Sequence, residues 1–356
     1  MPRPICYNQA KATPLTAASA RKPMTKSTRN KTIDISLEDG QEYLARCLDL
    51  REIGGAGRGG HDSASADPRP LTIDEAAGRT ICGDCFDVLP LLPKASVDLL
   101  IVDPPYNLAR EYHGQKFSRM SPDGYARFTR SWLDLCRPLL KETASIYVCC
   151  DWQSSLLIGP ILDEEFILRS RITWQREKGR GASQNWKNSL EDIWFATCSE
   201  EYTFHVDEVK QRRRVIAPYR QDGQPKDWTE TEDGGFRDTY PSNFWDDISV
   251  PYWSMPENTA HPAQKPEKLL AKLILASSSP GDVILDPFLG SGSTSVAAKK
   301  LGRRFIGIEQ NPQYCVWAEK RLEMTDDDPS IQGYTDGVFW ERNTALWQRR
   351  QRRKQR

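Results

Sequence analysis

Residues 97–102, Val-Asp-Leu-Leu-Ile-Val, are apolar at five of six positions, and Asp103-Pro104-Pro105-Tyr106 follows at once. So short an apolar run, closed by prolines that cannot extend a hydrogen-bonded ladder, is a buried strand. Similar runs recur along the chain. "RTICGDCFDVLPLLP" predicts a strand and then a helix, "ASIYVCCD" another strand, "SSLLIGPILDEE" a helix and "FILRSRITWQ" a strand. "DGYARFTRSWLDLCRPLL" sets Tyr125, Phe128, Trp132, Leu133 and Leu135 at helical spacing. Strands alternating with helices predict an α/β fold built on a mostly parallel sheet with crossover helices.

The alternation begins near Leu71, lapses between Arg176 and Ala260, and resumes with "EKLLAKLILASS", "DVILDPF", "STSVAAKKLG" and "RFIGIE". Residues 1–70 read as a weakly structured extension with one short helix around "EYLARCLDL" and a flexible linker at "GGAGRGGHDSASADPRP". That linker contains Gly55-x-Gly57-x-x-Gly60, formally a dinucleotide fingerprint. Such a fingerprint works only between a strand and a helix, and here Ser, Asp and Pro follow. Residues 324–356 leave the core again as a basic tail ending in "WQRRQRRKQR".

Composition excludes some classes. Lys plus Arg number 49, as do Asp plus Glu, so overall charge predicts no partner, although a local patch can still attract phosphate. No apolar run approaches the ~20 residues that cross a bilayer. Residues 1–32 hold no Asp or Glu, which loosely resembles a transit peptide; a disordered, DNA-tolerant leader is the expectation. Nine cysteines at irregular spacing make no disulfide framework, and the single C-x-x-C at Cys82 and Cys85 lacks the second pair of a zinc site. No metal is expected, and a reducing, cytoplasmic setting fits.

A second motif lies in "DVILDPFLGSGSTSVAAKKLGRRFIGIEQNP": a strand at 283–286, a turn carrying Gly290 and Gly292, a helix, and a strand ending in Glu309. Glycines let a backbone approach a ligand and adopt positive φ. An acid at the tip of the next strand is placed to accept hydrogen bonds from two ribose hydroxyls, which suits a nucleoside cofactor at the carboxyl ends of parallel strands. The spacing G-x-G without a third glycine argues against a pyrophosphate and favours S-adenosylmethionine, which has no phosphate. A plain connecting turn is the competing reading.

With both motifs in hand, the chain resembles the amino-methyltransferases of DNA, whose signatures are (D/N/S)-P-P-(Y/F/W) and F-x-G-x-G. The matching residues are Asp103-Pro104-Pro105-Tyr106 and Phe288-Leu289-Gly290-Ser291-Gly292, and "HPAQKPEKLL" at 261–270 also matches. The order, DPPY before F-x-G-x-G, resembles the beta group, and the likeness spans roughly residues 71–323. It implies a circularly permuted Rossmann-like methyltransferase fold with a seven-stranded, mostly parallel sheet and one antiparallel strand. The catalytic half would be 71–175, the target-recognition region 176–260 and the cofactor half 261–323. By the same resemblance, Asp286, Phe288, Gly290, Gly292 and Glu309 would bind S-adenosylmethionine. Lys265 would lie near its methionine end, and Asp84 would contact its adenine ring.

The resemblance also gives the strand tip a chemistry. An exocyclic amine is a poor nucleophile because its lone pair is delocalised into the base. Hydrogen bonds accepted by Asp103 and by the Pro104 carbonyl would localise that pair. Pro104 and Pro105 fix φ and remove competing N–H donors, and Tyr106 offers a face for the base. The base must first leave the duplex, at a cost of about a few kcal/mol. Lys and Arg of the 176–260 region would neutralise phosphates, with Arg180, Arg212, Arg213 and Arg214 as candidate DNA contacts. A solvated insertion is the bland alternative for any one basic run.

In this family DPPY occurs mostly in adenine-N6 enzymes and SPPY more in cytosine-N4 enzymes, so adenine is the expected base. The competing readings are cytosine N4, an RNA or protein-amide substrate, and a nucleic-acid-binding protein without turnover. Double-stranded DNA is the expected partner. A cognate restriction endonuclease, and a monomer or a homodimer, stay open.

Overall fold

The computed structural model describes residues 27–49, 69–108, 110–112, 115–176, 184–215, 219–231 and 234–341. Its centre is a nine-stranded sheet. In chain order the strands are β1 (Leu48–Asp49), β2 (Arg79–Cys82), β3 (Val97–Val102), β4 (Leu140–Cys150), β5 (Ile167–Gln175), β6 (Leu190–Thr197), β7 (Phe244–Trp245), β8 (Val283–Asp286) and β9 (Arg304–Glu309). Across the sheet they run β1-β2-β9-β8-β3-β4-β6-β5-β7. Every neighbouring pair is parallel except those of β6, which is antiparallel to both β4 and β5. Helices α1 (Gln41–Leu44), α2 (Ile73–Ala76), α3 (Cys85–Val88), α4 (Pro122–Cys136), α5 (Trp152–Glu165), α6 (Glu267–Ser277), α7 (Ser293–Lys300) and α8 (Pro312–Asp327) lie between and around them.

The apolar run at 97–102 is the middle of this sheet. Leu100 and Val102 face one core with Tyr125, Trp132 and Leu133 of α4; Leu99 and Ile101 face a second with Leu269, Leu273 and Ile274 of α6. Val97 belongs to the first core too, at the point where the β3–β4 register shifts. Asp98, the polar break in the run, accepts hydrogen bonds from Lys141 Nζ (2.7 Å) and the Val283 amide (2.9 Å), tying β3 to both neighbours. A strand covered on both faces has no need of polar alternation.

The helix starts are legible in local chemistry. Ser121 caps α4 by accepting from the Gly124 amide, with Pro122 at the first helical position, and Asp151 caps α5 by accepting from the Ser154 amide. Thr72 and Glu75 form a reciprocal capping box on α2.

Three boundaries differ from the sequence reading. The sheet has nine strands rather than seven, because two-residue strands, β1 and β7, extend its edges. Residues 27–49 are not a loose extension: Tyr43 is buried against α8 and donates to Glu323 (3.0 Å), the Trp317 indole donates to the Ile35 carbonyl (2.9 Å), and Ile33 bridges Thr259. Their anchor is tertiary, so local periodicity could not announce it. The span 176–260 is not a single insertion either, since it supplies β6, the antiparallel strand at the heart of the sheet.

Three further strands of that span form a second sheet with residues expected to be tail. Its order is Thr229–Thr231, Gly234–Thr239, Gln211–Arg214, Val338–Trp340, Tyr334–Thr335. Phe339 is fully buried there, and Lys268 of α6 donates to the Trp340 carbonyl. The basic run 348–356 lies outside the described residues.

Candidate active site

Because β2, β9, β8 and β3 are parallel neighbours, their carboxyl ends share one edge of the sheet. Each ends in an acid or within two residues of one: Asp84, Glu309, Asp286 and Asp103. From β3 the chain moves to β4 on one side, and from β8 to β9 on the other, so a crevice opens between β3 and β8. A cleft of about 1000 Å³, partly open to solvent, lies there. Asp103, Pro104, Pro105 and Tyr106 line it together with Asp286, Phe288, Gly290 and Glu309. A smaller hollow of about 420 Å³, lined by Asp84 and Phe86, shares Pro105, Phe288 and Glu309 with it. Asp84 Oδ1 caps α3 through the Phe86 amide at 3.0 Å.

The glycine turn is shaped by its acids. Glu309 accepts from the amides of Gly290 (2.9 Å) and Asn311 (2.7 Å), which pins the turn to the tip of β9. Asp286 accepts from the Phe288 amide (3.0 Å) and the Thr294 hydroxyl (2.5 Å). Burial pushes the carboxyl of Asp286 up to about 7 and that of Glu309 up to about 8, against the pull of these hydrogen bonds. Gly290 has φ +58°, and a side chain there would meet the His261 ring at 3.2 Å. Gly292, φ +84°, stands behind the cleft wall, where it starts α7 and packs on Ala318. Phe288 sits edge-on to Trp132 at 6.0 Å.

The DPPY corner is braced separately. Tyr125 donates to the Pro105 carbonyl (3.1 Å), and Asn107 exchanges hydrogen bonds with the Met120 main chain. Lys265, expected at the methionine end of a cofactor, lines the same cleft and reaches this corner: its ammonium donates to Asp103 Oδ2 (2.6 Å) and to the Tyr106 hydroxyl (3.1 Å). Glu191 Oε2 lies 3.4 Å from the same ammonium and accepts from Tyr106 at 3.3 Å, while its other oxygen pairs with Arg176. Burial opposes the charge of Lys265, but Asp103 and Glu191 outweigh it and raise the ammonium above its ordinary value. Burial likewise opposes the charge of Glu191, yet Lys265 and Arg176 hold its carboxyl below the usual range. Two acids and two bases thus neutralise one another at the cleft wall. Asp103 Oδ1 is buried and accepts no hydrogen bond.

The candidate DNA contacts are dispersed. Arg180 lies outside the described residues. Arg212, Arg213 and Arg214 occupy consecutive positions of one strand and cannot share a face. Arg212 gives its Nε hydrogen and one Nη2 hydrogen to Asp238, at 2.7 and 2.8 Å; Arg213 donates to Gln211, and Arg214 is exposed.

A family model described as DNA methylase matches residues 97–320. The chain belongs to the DNA methylase family. It is 33% identical over 248 residues to the type II methyltransferase M.HpaI of Haemophilus parainfluenzae, covering 69% of this chain and 74% of that one. It is 32% identical over 262 residues to the DNA adenine methyltransferase YhdJ of Escherichia coli, covering 72% and 86%. Among solved structures, the PvuII DNA methyltransferase superposes with a TM-score of 0.52 at 19% identity, over 70% of this chain and 90% of that one, a likeness of fold.

As in the rest of this DNA methylase, what the motifs missed is what lies far away in sequence. Glu191 and Arg176 line the cleft beside the two signatures. An acid inside the apolar strand "LEDIWFAT" was the available signal, because a buried carboxylate needs a partner.

Proposed function

We propose that this DNA methylase transfers a methyl group from S-adenosylmethionine to the exocyclic amine of a base flipped out of duplex DNA, and that the base is adenine, modified at N6. One observation carries the reading: the DPPY corner and the glycine turn line one cleft, so a donor held by the one would meet a base held by the other. At the wall of that cleft Asp103 Oδ1 has no protein donor and keeps its lone pairs for an N–H of the base.

The cleft suits the cofactor. Gly290 keeps one wall free of a side chain, and each Glu309 oxygen, holding one amide, retains a lone pair for a ribose hydroxyl. Asp286, Phe288 and Gly290 would line the donor, Glu309 would take the ribose, and Asp84 in the adjoining hollow would meet the adenine. When bound, S-adenosylmethionine supplies an activated methyl group.

The protein's own part is positioning. Asp103 Oδ1 accepts one amine hydrogen and the Pro104 carbonyl the other, which draws the nitrogen lone pair out of the ring. Tyr106, anchored at its hydroxyl by Lys265 and Glu191, gives the base a rigid platform. As nitrogen gains its methyl, Asp103 stands next to the proton it must shed. Holding two reactants in such an arrangement supplies about 7–11 kcal/mol of the barrier.

Adenine is favoured by the acid at the head of DPPY and by the 32% identity to a protein named as a DNA adenine methyltransferase. The test is incubation of the full chain with unmethylated duplex DNA and labelled donor, followed by digestion to nucleosides. Label in N6-methyladenine is expected; label only in N4-methylcytosine overturns the base, and label in neither overturns the reaction.

A further inference from the structure

We propose that Lys265 and Glu191 form a positioning pair that aims the catalytic carboxylate of Asp103, so that Oδ1 meets the amine of the target base. This rests on the function proposed above, and it gives Lys265 a task besides any contact with the donor.

An ammonium has three hydrogens to donate. Those of Lys265 have three partners within reach: Asp103 Oδ2 at 2.6 Å, the Tyr106 hydroxyl at 3.1 Å and Glu191 Oε2 at 3.4 Å. The first two are hydrogen bonds and the third is an ion-pair contact, so most of the ammonium's interactions are with the DPPY corner and Glu191. The partners come from two elements, the turn after β3 and the antiparallel β6, and Lys265 itself from the segment before α6, so the ammonium sits where three parts of the chain meet. The side chains of Lys265 and Glu191 keep only 8% and 4% of their exposure. Glu191 is held from behind by Arg176. A carboxylate is planar, so fixing Oδ2 fixes the direction of Oδ1, the atom without a partner.

Removing Lys265 leaves Asp103 and Glu191 as buried acids without their shared cation. Asp103 then turns away from the geometry that transfer requires. Removing the charge of Glu191 frees Lys265 from one side of its junction, with the same consequence in weaker form. A misplacement of about 1 Å can lower the rate by about 10²-fold.

The experiment compares Lys265→Met, Lys265→Arg and Glu191→Gln with the parent full-length chain. It measures kcat and KM on duplex DNA and, separately, donor affinity by calorimetry with S-adenosylmethionine alone. For Lys265→Met the expected result is a kcat loss of up to about 10²-fold with donor affinity near the parent value, largely recovered by Lys265→Arg. For Glu191→Gln, which keeps the shape of the side chain, a smaller kcat loss with unchanged donor affinity is expected. A Lys265→Met protein with parental kcat at saturating donor but weakened donor binding overturns the proposal and makes Lys265 a methionine ligand. Should Lys265→Met fail to fold, Glu191→Gln decides: parental kcat overturns the pair. Absence of methylation by the parent chain itself would refute the proposed function rather than this arrangement.

Discussion

Replacing Gly292 by alanine should damage the protein through its fold rather than through its chemistry. The residue has φ +84°, and a methyl group built on it would lie 2.7 Å from Ala318 Cβ and 2.8 Å from Ala318 Cα. Carbon atoms rest at about 3.5–4.0 Å, so the overlap is severe. Because Ala318 belongs to α8 and one of the struck atoms is backbone, no rotamer change relieves it. The left-handed backbone costs a non-glycine residue about 1–2 kcal/mol. Overpacking a close contact adds about 1–3 kcal/mol, and at about 2 °C per kcal/mol in a chain this large the sum lowers Tm by about 4–10 °C.

Gly290→Ala is the matched control. Its φ is +58°, but its added methyl meets only the His261 ring, at 3.2 Å, and a side chain can rotate away. It should lose no more than the backbone term of about 1–2 kcal/mol, while donor affinity falls because the methyl enters the cleft wall. Thermal unfolding followed by circular dichroism and donor titration by calorimetry separate the two. A Gly292→Ala protein melting within about 1 °C of the parent would refute the reasoning.

Asp103→Ala should abolish methyl transfer while leaving donor binding close to parental, measured by labelled-methyl incorporation and calorimetry; retained turnover would remove Asp103 from the chemistry. Glu309→Ala should raise the donor Kd at least roughly tenfold, since hydrogen bonds to a charged group are worth about 1.5–3 kcal/mol each; an unchanged Kd would remove it from the ribose. Donor affinity should also depend on pH. With Asp286 and Glu309 pushed up to about 7 and about 8, both are largely protonated in slightly acidic buffer, and the cationic donor prefers them ionised. Affinity therefore rises as pH climbs through that window, by up to about tenfold per unit for each proton released, and levels off above it. The sign is opposite for the donor-free fold: carboxyls raised by burial stabilise it most at low pH, and that contribution is lost as pH rises towards about 8. Donor titrations from pH 6 to pH 9 that show a flat Kd would contradict this assignment.

Much of the sheet was legible because its signals are local. The run at 97–102, the turn after 286 and the acid at 309 each mark a strand tip within a few residues, and the parallel arrangement then lines the tips up on one edge. The domain limits were less legible. Ile33, Ile35 and Tyr43 are held by Thr259, Trp317 and Glu323, and Phe339 by a core that includes Ala271 and Leu275. None of these segments has a periodicity long enough to declare itself, and each is ordered by surface that another part of the chain supplies.

The amino-acid sequence determined by itself the central strands and which of their ends carry acids, glycines and prolines, because side-chain period and turn chemistry act over a few residues. Only the tertiary structure decided what those ends meet. Lys265 bonds to Asp103 across 162 positions and Tyr106 to Glu191 across 85. A buried ion pair is chosen by proximity after folding, when removal from water forces each charge to find whichever partner the packed sheet has brought beside it.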